Sequence, residues 1–221
     1  MVKAAKPAIL LRNAGKEQPS LDFESCLWSA GLRLVAGVDE VGIGPLAGPV
    51  VAAAVVFAPA IEIAGVRDSK LLGAQARAQL FGEIIGRAVA VGVGSADPEE
   101  IDRRNVYQAA LAASARAVRE LGLVPQHLLV DGRAIPGLAV EQTALVGGDR
   151  RCFTIAAASI VAKVLRDRLM EGYERALPGY GFARHKGYGT PEHLAALRRL
   201  GPSPLHRYSY APVQAVARWR R

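Results

Sequence analysis

Four acidic residues stand where strand-like runs of the sequence end. Asp39 and Glu40 close the run that starts at Arg33, Asp131 closes His127-Leu-Leu-Val-Asp131, and Asp149 follows Gly147-Gly148 just ahead of a long helical pattern. In an α/β sheet the positions just past the strand ends share one crevice, so three segments can deliver four carboxylates to one place. Carboxylates pushed together inside a domain are costly unless cations neutralise them, and two divalent ions would balance four acids. Two hard cations about 3.5–4 Å apart are a standard device for in-line phosphodiester cleavage, activating the attacking water and stabilising the leaving oxygen. A plainer reading stays open, in which the strands simply end in solvent with acids. Successive strand side chains point to opposite faces, so Asp39 and Glu40 share a pocket only if the flanking glycines let the backbone twist.

The glycines after Glu40 invite another interpretation. Gly42-x-Gly44-x-x-Ala47 follows a strand and matches a loose dinucleotide-binding fingerprint. That chemistry needs a helix next, whose N-terminus holds the pyrophosphate. Here Pro49 and a β-branched run follow, and two acids immediately before the glycines would repel a pyrophosphate. The sequence therefore argues against a nucleotide-cofactor enzyme.

The elements that must position these residues alternate between strand and helix. Strands are expected at 33–39, 50–57, 88–93, 127–132 and 138–146, and helices at 21–30, 74–87, about 97–121, 151–176 and 191–200. Ser20 is a candidate N-cap for the first helix. Asp97-Pro98 with Glu99 and Glu100 opens the third, and Thr190 and Gly201 bracket the last. The order predicts an α/β domain with a mixed sheet covered by helices. Residues 1–19, broken by Pro7, Gly15 and Pro19, are expected to form a mobile basic N-terminal arm. Residues 20–221 are expected to form a single catalytic domain with a basic, aromatic-rich C-terminal helical part from about 184.

Composition narrows the classes. The 221 residues are 51% hydrophobic and 22% charged, enough to bury a core without disulfides and unlike a disordered chain. The net charge of +8 is uneven: residues 1–16 carry +4, residues 184–221 carry +7, and the stretch between carries −3. An acidic middle between basic ends suits an enzyme that gathers carboxylates while gripping phosphates. The longest apolar run, Val50 to Ala58, is too short to span a membrane, and no signal peptide is expected. Cys26 and Cys152 lie in no Cys/His cluster and read as free thiols in a reducing cytoplasm.

Taken together, the motifs resemble those of type 2 ribonuclease H, specifically the bacterial ribonuclease HII family. The resemblance runs from about Leu34 to Ala211. It rests on Gly37-Val-Asp39-Glu40-Val-Gly42-x-Gly44-x-Leu-Ala-Gly48-Pro49-Val, Asp68-Ser69-Lys70, Val130-Asp131-Gly132 and Gly148-Asp149, and further on Ala156-Ala-Ala-Ser159-Ile-x-Ala-Lys163-Val-x-Arg166-Asp167-Arg168 and His185-Lys186-Gly187-Tyr188-Gly-Thr190. It implies an RNase H-like fold with a mixed five-stranded sheet. It also implies an endonuclease using two Mg²⁺ or Mn²⁺ ions held by Asp39, Glu40, Asp131 and Asp149. The implied substrates are RNA–DNA hybrids and single ribonucleotides embedded in duplex DNA, cut on the 5′ side of the ribonucleotide to leave 3′-hydroxyl and 5′-phosphate ends.

The resemblance further assigns Gly42, Ile43 and Gly44 to backbone recognition of the ribose 2′-OH, the group that distinguishes RNA from DNA. Ile43 stands where the family usually has Arg, so a side-chain contact to phosphate is lost. Tyr188 matches a tyrosine that packs against the ribonucleotide. Outside the N-terminal arm the only lysines are Lys70, Lys163 and Lys186, all inside these motifs and expected to meet phosphates. His185, beside Lys186, is a further candidate for a backbone phosphate. Tyr180, Tyr188, Tyr208 and Tyr210 lie among the C-terminal bases, a pattern suited to phosphate contact with stacking, and the final Arg218-Trp219-Arg220-Arg221 could extend it. Asp167, between Arg166 and Arg168, reads as ion-paired rather than as a fifth ligand. Gln214-Ala-Val-Ala217 lacks the bulky positions of a sliding-clamp peptide, so no clamp partner is expected, and a monomer is.

Overall fold

The computed structural model describes residues 18–219; most of the expected N-terminal arm and the last two arginines of the tail lie outside the described residues. The chain folds as α1 (Asp22–Ser29), β1 (Val35–Val41), β2 (Val50–Val56), α2 (Ala74–Arg87), β3 (Ala90–Ala96), α3 (Pro98–Arg104), α4 (Val106–Arg119), β4 (His127–Asp131), β5 (Gln142–Leu145), α5 (Phe153–Ala176), α6 (Phe182–His185), α7 (Pro191–Leu200) and α8 (Ala211–Trp219). One five-stranded mixed sheet has the order β3-β2-β1-β4-β5. β1 pairs antiparallel with β2 and parallel with β4, and β4 is parallel to β5. Three neighbouring strands thus point the same way, and their C-terminal ends line up on one edge.

The sheet is sandwiched between two helices. Ala36, Val38, Ala52 and Ala54 face Ala109, Ala113 and Ala117 of α4. Val51, Ala53 and Val55 lie in the opposite core with Ala157, Ile160 and Val161 of α5. Small residues on both surfaces let the helix backbones come close. The limit is Gly37, where a Cβ would stand 2.2 Å from the Thr154 carbonyl carbon. Only glycine admits α5 at that depth, and α5 is thereby pressed against the strand that carries Asp39.

Several expected elements differ. The single helix expected over 97–121 is two, because Asn105 adopts φ 70° and its side chain accepts from the Tyr107 and Gln108 amides, capping α4. The positive φ breaks the helical backbone there, and the asparagine side chain offers the following amides an alternative to helix. β3 runs to Ala96, three residues past its expected end, because paired strand β2 continues alongside it. β5 is shorter than expected, Gln142–Leu145. α1 has Leu21 rather than Ser20 at its N-cap position; Ser20 instead bridges to Cys152. α6 and α8 fall in a stretch expected to contain only one helix. The nucleotide-cofactor alternative fails outright, since an antiparallel strand follows the glycines.

Candidate active site

Strand register brings the acids together. Val38 pairs with Val130 in parallel, so Asp39 and Asp131 sit side by side one residue on. Asp131 pairs in turn with Leu145, and the chain then turns through Gly147, in the left-handed conformation, to place Asp149 in the short turn before α5. β1 stays regularly paired through both of its acids, opposite Ala53 and Ala52. The expected glycine-driven twist is therefore not what joins them. Asp39 faces α5, Glu40 faces α4, and Asp131 on the neighbouring strand lies close to both.

The electrostatics follow from this crowding. Burial, then Glu40 and Asp131, hold Asp39 well above the usual carboxylate range, with the Ser159 hydroxyl pulling the other way. Burial and then Asp131 lift Glu40 to about 7. Asp131 is also raised, mainly by burial, although its Oδ1 accepts the Gly148 amide at 2.6 Å. Among the described residues the sole lysine on the cluster is Lys70, whose Nζ donates to Asp149 at 3.3 Å. Burial alone would lower its pKa, but Asp149 and Asp68 outweigh that and hold it raised. Asp68 also fixes the turn bearing Lys70 by accepting its amide at 3.0 Å.

These donors suit a hard divalent cation: all are oxygens, and they repel one another where nothing neutralises them. Among the described residues no group of three or more His, Cys, Asp or Glu side chains is already disposed to hold a metal ion. Asp131 uses Oδ1 for the Gly148 amide and Asp149 uses Oδ2 for Lys70, which leaves a second oxygen on each carboxylate for a cation. A cavity of about 200 Å³ opens beside Glu40 and Asp131, walled by Ile43, Tyr107, Gln108 and Arg133.

Two residues carry the glycine loop: Arg166, which stands in one of the family motifs but was given no role from the sequence, and Arg207, which nothing in the sequence pointed to. Arg207, fully buried, donates to the Gly42 carbonyl at 2.6 Å, Ile43 at 2.9 Å and Gly48 at 2.9 Å. Arg166, also buried, donates to the Pro49 carbonyl at 2.9 Å and the Lys186 carbonyl at 2.9 Å. Gly42 has φ 98°, and a Cβ there would meet Arg166 Nε at 2.5 Å. No described peptide is cis, and a trans peptide sets C=O and N–H in opposite directions, so the Ile43 and Gly44 amides point away from Arg207. The loop presents its donors outward because its acceptors are held inward. From sequence, a lone arginine such as Arg207 among 22 carries little signal.

Tyr188 lies over this loop, half exposed, its ring within 3.7 Å of where a Gly44 Cβ would stand. The other lysines are engaged elsewhere: Lys163 with Asp167 at 2.6 Å and Lys186 with Glu171 at 2.7 Å. Asp167 is ion-paired as expected, though to Lys163 and Arg77 rather than to its neighbouring arginines. His185 is buried under the loop, which removes it as a phosphate contact. Of the four C-terminal tyrosines, Tyr188 and Tyr208 are exposed. Tyr180 is buried with its hydroxyl on the Gly201 carbonyl, and the Tyr210 hydroxyl donates to the Ile43 carbonyl at 2.9 Å.

A parallel strand trio ending in four carboxylates, beside a loop of outward amides, defines a nuclease of the ribonuclease H type. The family model for ribonuclease HII matches residues 36–213, and the chain belongs to that family. A ribonuclease HII of Synechococcus sp. is 52% identical over 200 residues, covering 89% of this chain and 90% of that protein. Among solved structures, ribonuclease H2 from Pyrococcus horikoshii superposes with a TM-score of 0.71 at 27% identity, over 85% of this chain and 99% of that one. The ribonuclease HII of Archaeoglobus fulgidus, solved as a complex with PCNA, gives 0.68 at 26% identity over 80% and 95%. That protein does take a clamp partner; the segment Gln214-Ala-Val-Ala217, where no clamp peptide was expected, lies here within α8.

Proposed function

We propose that the chain is an endoribonuclease that hydrolyses the RNA strand of RNA–DNA hybrids and incises on the 5′ side of single ribonucleotides in duplex DNA. The observation that carries this is the adjacency of the outward Ile43 and Gly44 amides to Glu40, three and four residues along the same chain. A recognition element for a 2′-OH so close to the acids suits a phosphate attached to the recognised sugar. A 2′-OH is poorly placed to attack its own nucleotide's 5′ phosphate, so it serves as a mark and water is the nucleophile. Water adds to phosphorus as the bond to the upstream O3′ breaks, leaving a 3′-hydroxyl and a 5′-phosphate.

Asp39, Glu40, Asp131 and Asp149 would hold Mg²⁺ or Mn²⁺, two ions being the number that balances them. Bound there, divalent ions lower the pKa of the attacking water and stabilise the leaving oxygen. The chain's own acids remain ionised only as their repulsion is neutralised, Lys70 holds Asp149 meanwhile, and Tyr188 closes over the sugar. Residues 20–221 act as one catalytic unit in this reading, and a reducing cytoplasm suits two cysteines that are both free thiols.

The test is cleavage of a DNA duplex carrying one ribonucleotide, beside an RNA–DNA hybrid and an all-DNA duplex, with Mg²⁺, Mn²⁺ or chelator. The wild type should cut the first two only, and Asp39→Asn should bind without cutting. Equal behaviour of the two proteins would sink the proposal. Binding without cleavage by the wild type would instead favour a non-catalytic nucleic-acid-binding protein.

A further inference from the structure

Three of the four histidines form a buried cluster that the proposed chemistry does not use. His185 and His193 stack with ring centroids 4.3 Å apart, and His193 Nε2 meets His206 Nε2 at 3.1 Å. Phe182 presents its edge to His185 and His193, and the Tyr180 ring lies 5.1 Å from His206. His193 and His206 are fully buried.

The backbone dictates the proton on every ring, because amides only donate and carbonyls only accept. His206 Nδ1 accepts the Ser203 amide at 3.0 Å, so its proton is on Nε2 and points at His193. His193 Nε2 must accept it, which leaves the His193 Nδ1 proton to donate to the Tyr188 carbonyl at 2.9 Å. His185 Nδ1 accepts the Gly187 amide at 3.2 Å, and its Nε2 donates to the Tyr180 carbonyl at 2.8 Å. All three imidazoles are neutral in this arrangement. Two of these bonds land on the segment bearing Tyr188.

We propose that His193, held in one tautomer by His206, is a positioning residue for Tyr188, and that it fixes the tyrosine loop only while the cluster is neutral. The inference rests on the reading above that Tyr188 packs on the ribonucleotide. The titratable groups facing His193 are His185 from α6, His206 from the loop after α7, and Glu192 on its own helix. Glu192 is ion-paired to Arg184, so the carboxylate that attracts a proton on His193 already carries a cation. Protonating His193 would set two N–H groups against each other at 3.1 Å, and protonating His206 would displace the Ser203 amide. In keeping with this, burial and then His193 push His206 down to about 4, and burial lowers His193 as well. Both effects favour the neutral cluster from neutral pH downward until the histidines titrate.

The test compares Tyr188→Ala, His193→Leu, His193→Asn and His193→Gln on a DNA duplex with one ribonucleotide. Asparagine places an amide where Nδ1 stands and can still donate to the Tyr188 carbonyl; leucine and glutamine cannot. Tyr188→Ala should raise KM by about fivefold to a hundredfold, the range that loss of one packed aromatic contact to a nucleotide spans. His193→Leu and His193→Gln should approach that value, with kcat changed less than about threefold, while His193→Asn stays near wild type. No change for Tyr188→Ala would refute the role of the tyrosine itself. A normal KM for His193→Leu and His193→Gln beside an impaired Tyr188→Ala, or failure of asparagine to rescue, would overturn the positioning role. Wild-type hydrogen exchange gives a readout that needs no variant to fold. After correction for intrinsic rates, amides 186–190 should exchange about tenfold faster at pH 3.5 than at pH 7, and unchanged protection would overturn the neutrality requirement.

Discussion

Glu40→Gln should make the metal-free protein more stable, and more so at pH 8 than at pH 5. The Glu40 carboxyl is raised from its ordinary 4.5 to about 7 by burial and by Asp131. A carboxyl that holds its proton more tightly when folded contributes stability that is complete below the unfolded pKa and lost as pH rises through the folded one. The window here runs from about pH 4.5 to pH 7. At roughly 1.4 kcal/mol per unit, the wild type should lose about 2–3 kcal/mol relative to the glutamine variant between pH 5 and pH 8. For a chain of this size that is roughly 5–10 °C in Tm. Thermal unfolding of both proteins in chelator at the two pH values measures the double difference, which cancels the histidines and other groups. Saturating Mg²⁺ should reverse the order at pH 8, because the wild type gains binding free energy that the variant largely lacks. A pH-independent difference between the two proteins would refute the claim that Glu40 is held in a repulsive, partly desolvated site.

Other expectations follow from single contacts. Gly37→Ala drives a methyl into the Thr154 carbonyl and should cost more than about 3 kcal/mol, read by urea unfolding. Arg207→Lys keeps the charge but cannot fork to three carbonyls; it should lower stability by about 3 kcal/mol or more and reduce preference for a ribonucleotide over all-DNA duplex in binding assays. Ile43→Arg should tighten substrate binding and steepen its log–log salt dependence by about one, as one added phosphate contact does. An unchanged salt slope would show that position 43 does not face a phosphate.

How far the sequence reached depends on whether a signal was local. The run from Val35 to Glu40 and the run from His127 to Asp131 are dense in β-branched and aliphatic residues and end abruptly in acids, so both strands and the acids at their ends could be read directly. The break at Asn105 was missed because the apolar spacing continues on both sides of it. One residue with a positive φ interrupts the helix without interrupting the pattern. The C-terminal tyrosines look alike as residues among bases, yet Tyr180 and Tyr210 turn inward while Tyr188 and Tyr208 do not. Such a division depends on what packs against each, which no spacing records.

By itself, then, the sequence determined the α/β class, the four acids and the glycine loop, since strand ends, turn residues and charge are properties of contiguous segments. Register decided that Asp39 lies beside Asp131, with Glu40 on the other face of the same strand. Folding also brought Arg166 and Arg207 from more than a hundred residues away to hold the loop carbonyls inward. It gathered three histidines from two helices and a loop beneath Tyr188. The reason is physical: a buried guanidinium or imidazole is tolerable only where partners from distant segments satisfy it, and those partners exist only in the folded chain.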